Sequence, residues 1–415
     1  MRLSQLFTRT AHQVPADEQS LNAKLLIRAG YIHKEMAGIY DFLPLGLRVL
    51  NKIIGIIRDE MNAIGGQELQ MSSLQREELW QKTDRWDDKK VDIWFKSKLQ
   101  NGSEVGLAWS HEEPIVDMLK NFVSSYRDLP ICVYQFQTKL RNEIRAKGGI
   151  LRTREFIMKD MYSLSRTAEE HEAFYQQAIE AYHKVFKRIG IDDKTFFTFA
   201  SGGAFTQFSH EFQTLLDTGE DTVFLDRNKK MAVNEEVMSD EVLAQLGLEK
   251  AKLDKERVAE VGNIFNFGIT KAEQLGLQFS DESDQKQSVF LGSYGIGVTR
   301  LMGVVAELFA DDKGLVWPQS IAPAHVHLVA LPGSQNLQAA EKLYQQLTAA
   351  AVEVIYDDRG ESAGKMFADA DLLGIPLRLV ISEKTLADGG FELKTRTESE
   401  AKLVSKNSII DIVKR

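Results

Sequence analysis

The 415-residue sequence contains a single cysteine, Cys132. One thiol can form neither an internal disulfide nor a cysteine-rich zinc site, so the chain reads as intracellular and free of structural zinc. Cys132 lies in the apolar run Ile131 to Phe136, which marks it as a small core residue. No run of about 20 apolar residues occurs, which excludes a membrane-spanning helix. The opening residues, Met1 to Phe7, lack an apolar stretch of signal-peptide length, and Asp17 and Glu18 come too early for a typical transit peptide. A cytoplasmic location is expected. Repeats and low-complexity tracts are also missing. Positive charge is not in excess: the net charge of −9 argues against broad nucleic-acid coating but leaves room for local basic patches. Hydrophobic content of 43% and charged content of 27% suit a soluble globular chain of two or three domains.

One stretch stands out against this acidic background. Between Lys139 and Arg154 fall six cations (Lys139, Arg141, Arg145, Lys147, Arg152, Arg154) and one acid, Glu143, with a turn signal at Gly148-Gly149. The apolar runs Ile131 to Phe136 and Phe156 to Met158 read as flanking strands. A strand, a basic loop and a returning strand would gather guanidinium groups over one face of a sheet, suited to phosphate oxygens. Glu143 can accept from an exocyclic amine, and Phe156 offers a flat face to a purine. Taken alone, the segment also reads as a solvated basic hairpin.

A second stretch, Leu291-Gly-Ser-Tyr-Gly-Ile-Gly-Val-Thr-Arg300, sets three glycines where a strand meets a helix. The helix continues through Leu301, Met302, Val304, Val305 and Leu308 at helical spacing. Its glycine spacing is neither the dinucleotide-binding G-x-G-x-x-G nor a P-loop.

Together these segments resemble motifs 2 and 3 of the class II aminoacyl-tRNA synthetases. Further segments narrow the resemblance to the prolyl-tRNA synthetases, in a bacterial-like short form. Tyr134 to Arg145 and Arg152 to Asp160 are similar to that family's motif 2. Ser110-His111-Glu112-Glu113 is similar to its Thr-His-Glu-Glu loop. Ser209-His-Glu-Phe-Gln213, Val261-Gly-Asn-Ile-Phe265 and Gly314-Leu-Val-Trp-Pro318 follow in the family's order. The similarity runs from Leu6 to about residue 413.

The resemblance implies an α+β catalytic domain, an antiparallel sheet flanked by helices, over residues 1–225 and 259–321. Many bacterial relatives carry an editing domain between motifs 2 and 3. Here a charged connector, 226–258, takes that place, with helices expected at Asp240 to Leu246 and Ala251 to Val258 and little β pattern. An α/β anticodon-binding domain is expected over 322–415, with strands His325 to Leu331, Val352 to Tyr356, Leu377 to Ile381 and Phe391 to Arg396. Its helices are Ser334 to Ala350 and Gly364 to Leu373. Its charge is nearly balanced, 11 Lys/Arg against 13 Asp/Glu. Leu45 to Met61 reads as an amphipathic helix ending before Gly65-Gly66, equivalent to motif 1 at a homodimer interface. Residues 167–189 read as a scaffold helix opened by a capping box at Thr167.

The implied activity is ATP-dependent ligation of L-proline to tRNA(Pro) through prolyl-adenylate, without editing in cis. Arg141 would bridge the α-phosphate and the proline carboxylate, with Arg300 as the second catalytic cation. Glu143, Arg152, Phe156 and Gln213 complete the expected ATP site, and Mg2+ accompanies ATP with Glu211 as a candidate contact. Ser110, Glu112 and His210 join Arg141 around proline. Arg145, Lys147 and Arg154 either solvate the loop or touch the tRNA acceptor end. Arg359, Glu361, Lys394 and Arg396 are the expected anticodon contacts. A separate deacylase acting in trans on mischarged tRNA fits this picture.

Four departures from the family's pattern accompany these matches. Ser72 and Trp109 stand where prolines are usual, the segment Ala204 to Phe208 is about three residues longer, and Ser362 replaces a basic residue that Lys365 can stand in for. The competing reading is a noncatalytic synthetase-like tRNA-binding or accessory protein; retention of Arg141, Arg152 and Arg300 speaks against it. A synthetase for another amino acid is the second competitor, but a threonine enzyme needs zinc ligands that Cys132 is poorly placed to supply.

Overall fold

The computed structural model describes residues 1–413 except His12, Arg145, Ala204, Gln207, Lys406 and Asn407. Arg145, and Ala204 and Gln207 of the lengthened segment, therefore lie outside the described residues. The chain forms two compact units. One comprises Met36–Ile39 and Ile54–Val304, the other Met1–Glu35, Tyr40–Ile53 and Val305–Arg415.

The larger unit is built on a nine-stranded sheet. In chain order its strands are β1 (Gln67–Glu68), β2 (Ile131–Leu140), β3 (Glu155–Ser165), β4 (Thr195–Ser201) and β5 (Phe208–Leu215). They continue with β6 (Asp221–Asp226), β7 (Met231–Asn234), β8 (Asp254–Gly268) and β9 (Phe290–Gly297). The spatial order is β5-β4-β7-β6-β8-β9-β3-β2-β1, and β5 also pairs with β8. Neighbours run antiparallel except β1 with β2 and β4 with β7. The long hairpin of β2 and β3 is the strand, basic loop and strand expected from the sequence, in continuous register from Ile131 opposite Leu164 to Leu140 opposite Glu155.

The extra pairing of β5 with β8 closes β5, β4, β7, β6 and β8 into a ring. Phe196, Val223, Leu225, Ala232 and Val258 form a buried cluster inside it. This corrects two expectations for residues 226–258. Ala251 to Val258 is not an α-helix; Ala251 and Lys252 end a single 3-10 turn, and Asp254 onward opens strand β8. The connector is not poor in β structure either, since β7 is a member of the ring. Asp254-Lys-Glu-Arg opens the strand with four charged, mostly exposed residues before the buried Val258 and Ala259, and pairing with β6 overrides local helix propensity. The expected helix at 240–246 is present as α-helix Asp240–Leu246, capped by Ser239, whose hydroxyl accepts from Val242 N at 3.2 Å.

One face of the sheet is covered by helix α1 (Ala168–Ile189), which packs on β3 and β9. Thr167 accepts from Glu170 N at 3.2 Å, Glu169 and Glu170 occupy the first turn, and Lys187 and Arg188 the last. Opposed charges at the two ends complement the helix dipole. The helix stops at Gly190, whose φ of 95° is the left-handed conformation that glycine adopts without a Cβ penalty. His171, Tyr175, Ala178, Tyr182, Val185 and Ile189 form its buried stripe.

In the second unit a five-stranded sheet carries both parallel and antiparallel pairs. Its strands are β10 (Val326–Ala330), β11 (Val354–Asp357), β12 (Leu377–Ile381), β13 (Gly390–Thr395) and β14 (Lys402–Ser405), ordered β11-β10-β12-β13-β14. Val326, Leu328 and Ala330 pack with Leu343 and Leu347 of α2 (Ser334–Ala349). Val329 and Val380 pack with Met366 of α3 (Ala363–Leu373) on the opposite face. The four expected strands and two expected helices are present, and the structure adds β14, which pairs with β13 so that the Phe391 strand is not the sheet edge, and two short helices, Glu383–Ala387 and Ile409–Val413. The N-terminus joins this unit: the Met1 ammonium donates to Tyr344 Oη and Val354 O, both at 2.8 Å, and Arg2 pairs with Glu341 at 2.6 Å. Among the described residues no helix is long and apolar enough to cross a membrane.

If the ring is part of the cooperative core, Leu225→Ala should cost about 2–5 kcal/mol of stability. Urea midpoints measure this, and a loss under about 0.5 kcal/mol, typical of a surface site, would show that the ring unfolds independently.

Candidate active site

The floor of the site is the face of the sheet turned away from helix α1. Strand β2 ends at Leu140, and Arg141 continues the ladder by donating its backbone N–H to Arg154 O at 2.8 Å. Its guanidinium carbon lies 5.2 Å from the Phe156 ring centre, and Nε donates to Trp109 O at 3.3 Å. Loss of solvent lowers its pKa, while Glu260, Glu143 and Glu112 oppose that shift. Arg152 donates to Glu143 Oε2 from Nη2 at 2.8 Å and to Glu220 at 3.1 Å. Although burial works against it, these two acids raise the Arg152 pKa. Arg300, in the first turn after β9, donates to Leu151 O at 2.7 Å and to Glu260 at 3.1 Å.

The three arginines line one groove. Its first part is walled by Phe156, Met158, Gly262, Asn263, Gly295 and Gly297, with Glu143 at the side. Gly295 has no spare room: a Cβ there would lie 2.5 Å from Asn263 Oδ1 and 2.6 Å from Met158 Cε. The second part, about 370 Å3, is walled by the same arginines and by Glu211, Glu220, Asp221, Glu236 and Glu260. Burial, then repulsion from Glu260 and Asp221, raises the Glu211 pKa far above the carboxylate range. Asp221 is raised by the same two causes, burial and Glu260. Crowded carboxylates beside three arginines suit a polyanion accompanied by a divalent cation, and the flat Phe156 face suits a purine.

The Ser110-His111-Glu112-Glu113 segment opens a short helix, Glu112–Leu119, against this floor. All four residues are buried. Ser110 Oγ donates to Glu112, and Ser293 Oγ of β9 lies 3.3 Å from its other oxygen. His111 is held from both ring nitrogens, by Lys139 Nζ at 2.5 Å and Ser72 O at 3.1 Å. Burial and the Lys139 charge lower its pKa to about 4, so the ring is neutral at physiological pH. Glu113 is fully buried and paired with Arg85 at 2.8 Å and Lys271 at 2.7 Å.

Arg141, Glu143, Arg152, Phe156 and Arg300 thus come together in one groove with Glu211, and Ser110 and Glu112 lie beside it, next to Trp109, whose O accepts from Arg141. Two expected residues do not. His210 lies one position from Glu211 on β5, so the alternation of the strand sends it to the opposite face. There Nδ1 meets Tyr175 Oη at 2.6 Å and the ring stacks on Phe197 at 4.6 Å. Gln213 is buried behind the groove and bridges Glu211 at 2.7 Å and Asp221 at 3.2 Å, acting on the acids rather than on a ligand. Sequence reasoning missed Glu260, Glu220, Asp221 and Glu236. Only Glu260 had a usable signal, standing immediately before the Val261-Gly262-Asn263 segment.

In the second unit the expected nucleic-acid contacts divide. Arg359 forks onto Asp357 at 2.8 and 2.7 Å and reaches Asp369 at 2.8 Å. Arg396 forks onto Asp311 at 2.7 and 2.6 Å, donates to Asp371 O at 3.0 Å, and its side chain is only 5% exposed. Both arginines are therefore structural, which corrects their assignment as anticodon contacts. Glu361 is half-exposed in a pair with Lys365 at 2.7 Å, and Lys394 lies on β13 opposite Arg378.

Residues 94–309 match the family described as the class II tRNA synthetase core domain (G, H, P, S and T), and residues 323–415 match the anticodon binding domain. A proline–tRNA ligase of Xanthobacter autotrophicus is 35% identical over 443 aligned residues, covering 100% of both chains. One from Agrobacterium fabrum is 36% identical over 434, covering 98% of each. The Burkholderia multivorans relative is 31% identical over 562 aligned positions at 97% coverage of both. That alignment is far longer than this 415-residue chain, so that relative carries residues with no counterpart here. Among solved structures, prolyl-tRNA synthetase from Cryptosporidium parvum complexed with halofuginone and AMPPNP superposes with a TM-score of 0.78 at 15% identity, over 95% of this chain and 76% of that one. The Giardia lamblia prolyl-tRNA synthetase in complex with prolyl-adenylate gives 0.76 at 18%, over 94% and 75%. At these identities the structures establish the shared fold.

The Arg396 fork predicts a pH signature. Hydrogen bonding to Arg396 lowers the Asp311 pKa from 3.8 to about 2. A depressed carboxylate stabilises the fold above its unfolded pKa and loses that contribution as pH falls through the folded one. Arg396→Met should therefore lower the unfolding midpoint at neutral pH, with the gap from the unmodified protein closing between pH 4 and pH 2. A gap independent of pH across that window would rule the ion pair out as its source.

Proposed function

The chain belongs to the proline–tRNA ligase family, and from that premise we propose that it activates L-proline with ATP in the groove of Arg141, Arg152 and Arg300 and transfers it to tRNA(Pro). The observation that carries the assignment of residues is the meeting of two recognition sets on one face of the sheet. Three guanidinium groups and an aromatic face suit ATP, and the Ser110–Glu112 acceptor suits a secondary ammonium.

In the first step the proline carboxylate oxygen attacks the α-phosphorus of ATP, forming prolyl-adenylate and releasing pyrophosphate. In the second the terminal ribose hydroxyl of the tRNA attacks the prolyl carbonyl and AMP leaves. The proposed groove residues include no covalent nucleophile, so acceleration comes from positioning and charge neutralisation. Glu112 holds the ammonium, with Ser110 and Ser293 fixing its two oxygens. Arg141 sits between the attacking carboxylate and the α-phosphate, stacked on Phe156. Arg300, anchored on Glu260 and Leu151 O, covers the opposite side of the nucleotide. Arg152 exchanges Glu143 or Glu220 for a phosphate oxygen, which leaves Glu143 able to accept from the adenine amino group. Glu211 and Glu260 are the residues that would hold Mg2+, which when bound offsets phosphate charge.

The tRNA is read through the 322–415 domain, with Lys394 and Glu361 as its accessible contacts. The protein acts in the cytoplasm as a homodimer. With the 226–258 segment built into the catalytic sheet, no second hydrolytic domain edits in cis, and clearance of mischarged tRNA falls to a separate deacylase.

Amino-acid-dependent ATP–pyrophosphate exchange tests this reading. Proline should support rapid exchange, and Arg141→Ala should lower it by about 100-fold or more. Absence of exchange with proline, from a folded protein that still binds tRNA, would favour a noncatalytic binding protein. Gly295→Ala should raise the KM for ATP while leaving that for proline nearly unchanged, because the new methyl enters the nucleotide wall. Alanine should also be activated, since a small pocket discriminates by only about 1–3 kcal/mol per missing methylene. Purified Ala-tRNA(Pro) should persist in the presence of this protein; rapid deacylation would refute the absence of editing.

A further inference from the structure

We propose that Arg85 is a positioning residue for the amino-acid acceptor Glu112, and that Trp109 and Phe205 clamp it in place. This rests on the reading of Glu112 as the partner of the substrate ammonium. Glu112 and Glu113 are adjacent in sequence and 3% and 0% exposed. Two neighbouring buried carboxylates need compensating cations, or one of them takes up a proton. Glu113 receives two: Arg85 Nη1 at 2.8 and 2.9 Å and Lys271 Nζ at 2.7 Å, with Thr83 Oγ1 also donating at 2.9 Å. The same Arg85 Nη1 lies 3.7 Å from Glu112 Oε2, close enough for charge but beyond a hydrogen bond. Glu112 accepts its hydrogen bonds from two neutral hydroxyls, Ser110 and Ser293. Arg85 thus satisfies Glu113 and holds Glu112 in a positive field, leaving Glu112 as the carboxylate that a substrate ammonium completes.

What fixes Arg85 is aromatic. Its guanidinium carbon is 4.5 Å from the Trp109 ring centre, 4.7 Å from Phe205 and 5.2 Å from Trp80. Its Nε and Nη2 are buried without a nitrogen or oxygen partner, as expected where the remaining N–H groups meet ring faces. Trp109 and Phe205 are also packed on each other at 5.5 Å, and Phe205 on Phe265 at 4.7 Å. Trp109 replaces the usual proline before the Ser110 loop, and Phe205 lies in the lengthened segment between β4 and β5. Two departures about 100 positions apart in sequence therefore meet on one cation, which accounts for them as a matched pair that sets the amino-acid pocket.

The test measures pyrophosphate-exchange kinetics of Phe205→Ala, Arg85→Lys and Glu112→Gln in the full chain. Phe205 is on a partly exposed loop, so its variant folds even if an Arg85 variant is destabilised. Phe205→Ala and Arg85→Lys should each raise the KM for proline about tenfold, with kcat and the KM for ATP within about twofold. The double variant should be no worse than Arg85→Lys alone, because both act through one group. Equal rises in both KM values, or no change in that for proline, would overturn the proposal. If Glu112→Gln keeps the original KM for proline, the reading of Glu112 fails and the proposal with it. If Glu112→Gln loses proline while the other two variants behave like the unmodified protein, the proposal alone fails.

Discussion

Strand β8 is the constraint around which the catalytic unit is organised. Its 15 residues pair with three other strands in succession: Asp254 to Val258 with β6, Val258 to Ile264 with β5, and Gly262 to Gly268 with β9. Buried backbone groups must be hydrogen-bonded, so one strand serving three partners fixes the register of the ring and of the main sheet together. That register sets Glu260 against Arg300, brings Gly262 beside Gly295, and leaves Asn263 at the nucleotide wall. The short connector matters for the same reason. By supplying β7 and the start of β8 it holds up one wall of the groove.

Charge compensation decides which cations are available. In the groove, Arg152 and Arg300 lean on carboxylates and are themselves 41% and 26% exposed, an arrangement that fixes them while leaving N–H groups open to solvent. Arg359 and Arg396 have the same side chain, but each fork is saturated by two bonds to one aspartate and the arginine itself is only 12% and 5% exposed. Releasing Arg359 would strand the fully buried Asp357 carboxylate at a cost of about 3–5 kcal/mol, whereas the Asp311 carboxylate beside Arg396 is itself exposed. Residue type alone cannot separate these roles. Exposure and the identity of the fork's partner do.

The Glu113 cluster extends this logic to the amino-acid side. Arg85, Lys271 and Glu113 form a buried set in which two cations bond one carboxylate, while Glu112 is left with hydroxyl donors only. Lys139, Asp160 and His111 form a comparable set beneath the same loop, with Lys139 2.9 Å from Asp160. The loop therefore rests on two buried polar networks, each of which keeps its geometry only while every member is present.

Much of this was legible in the sequence. The helix at 168–189 announced itself by a Thr167 cap and an amphipathic stripe, and the C-terminal α/β series by regular alternation, because both signals are local. The arginine and glycine motifs also read correctly as one site, because a hairpin and a strand-to-helix turn keep their functional residues close in sequence. Other outcomes depended on what lay across the fold. Residues 254–258 carry helix-forming side chains yet pair as a strand, since the ladder with β6, continued by the rest of β8, outweighs propensity. His210 and Glu211 differ by one position, and only the orientation of β5 decided which faced the groove. Arg359 and Arg396 were named for their charge, and Asp357 and Asp311 claimed them. The sequence by itself determined the fold class, the family and which cations gather in one groove; tertiary structure alone decided which polar groups were left unsaturated, because saturation depends on partners that meet only when the chain is folded.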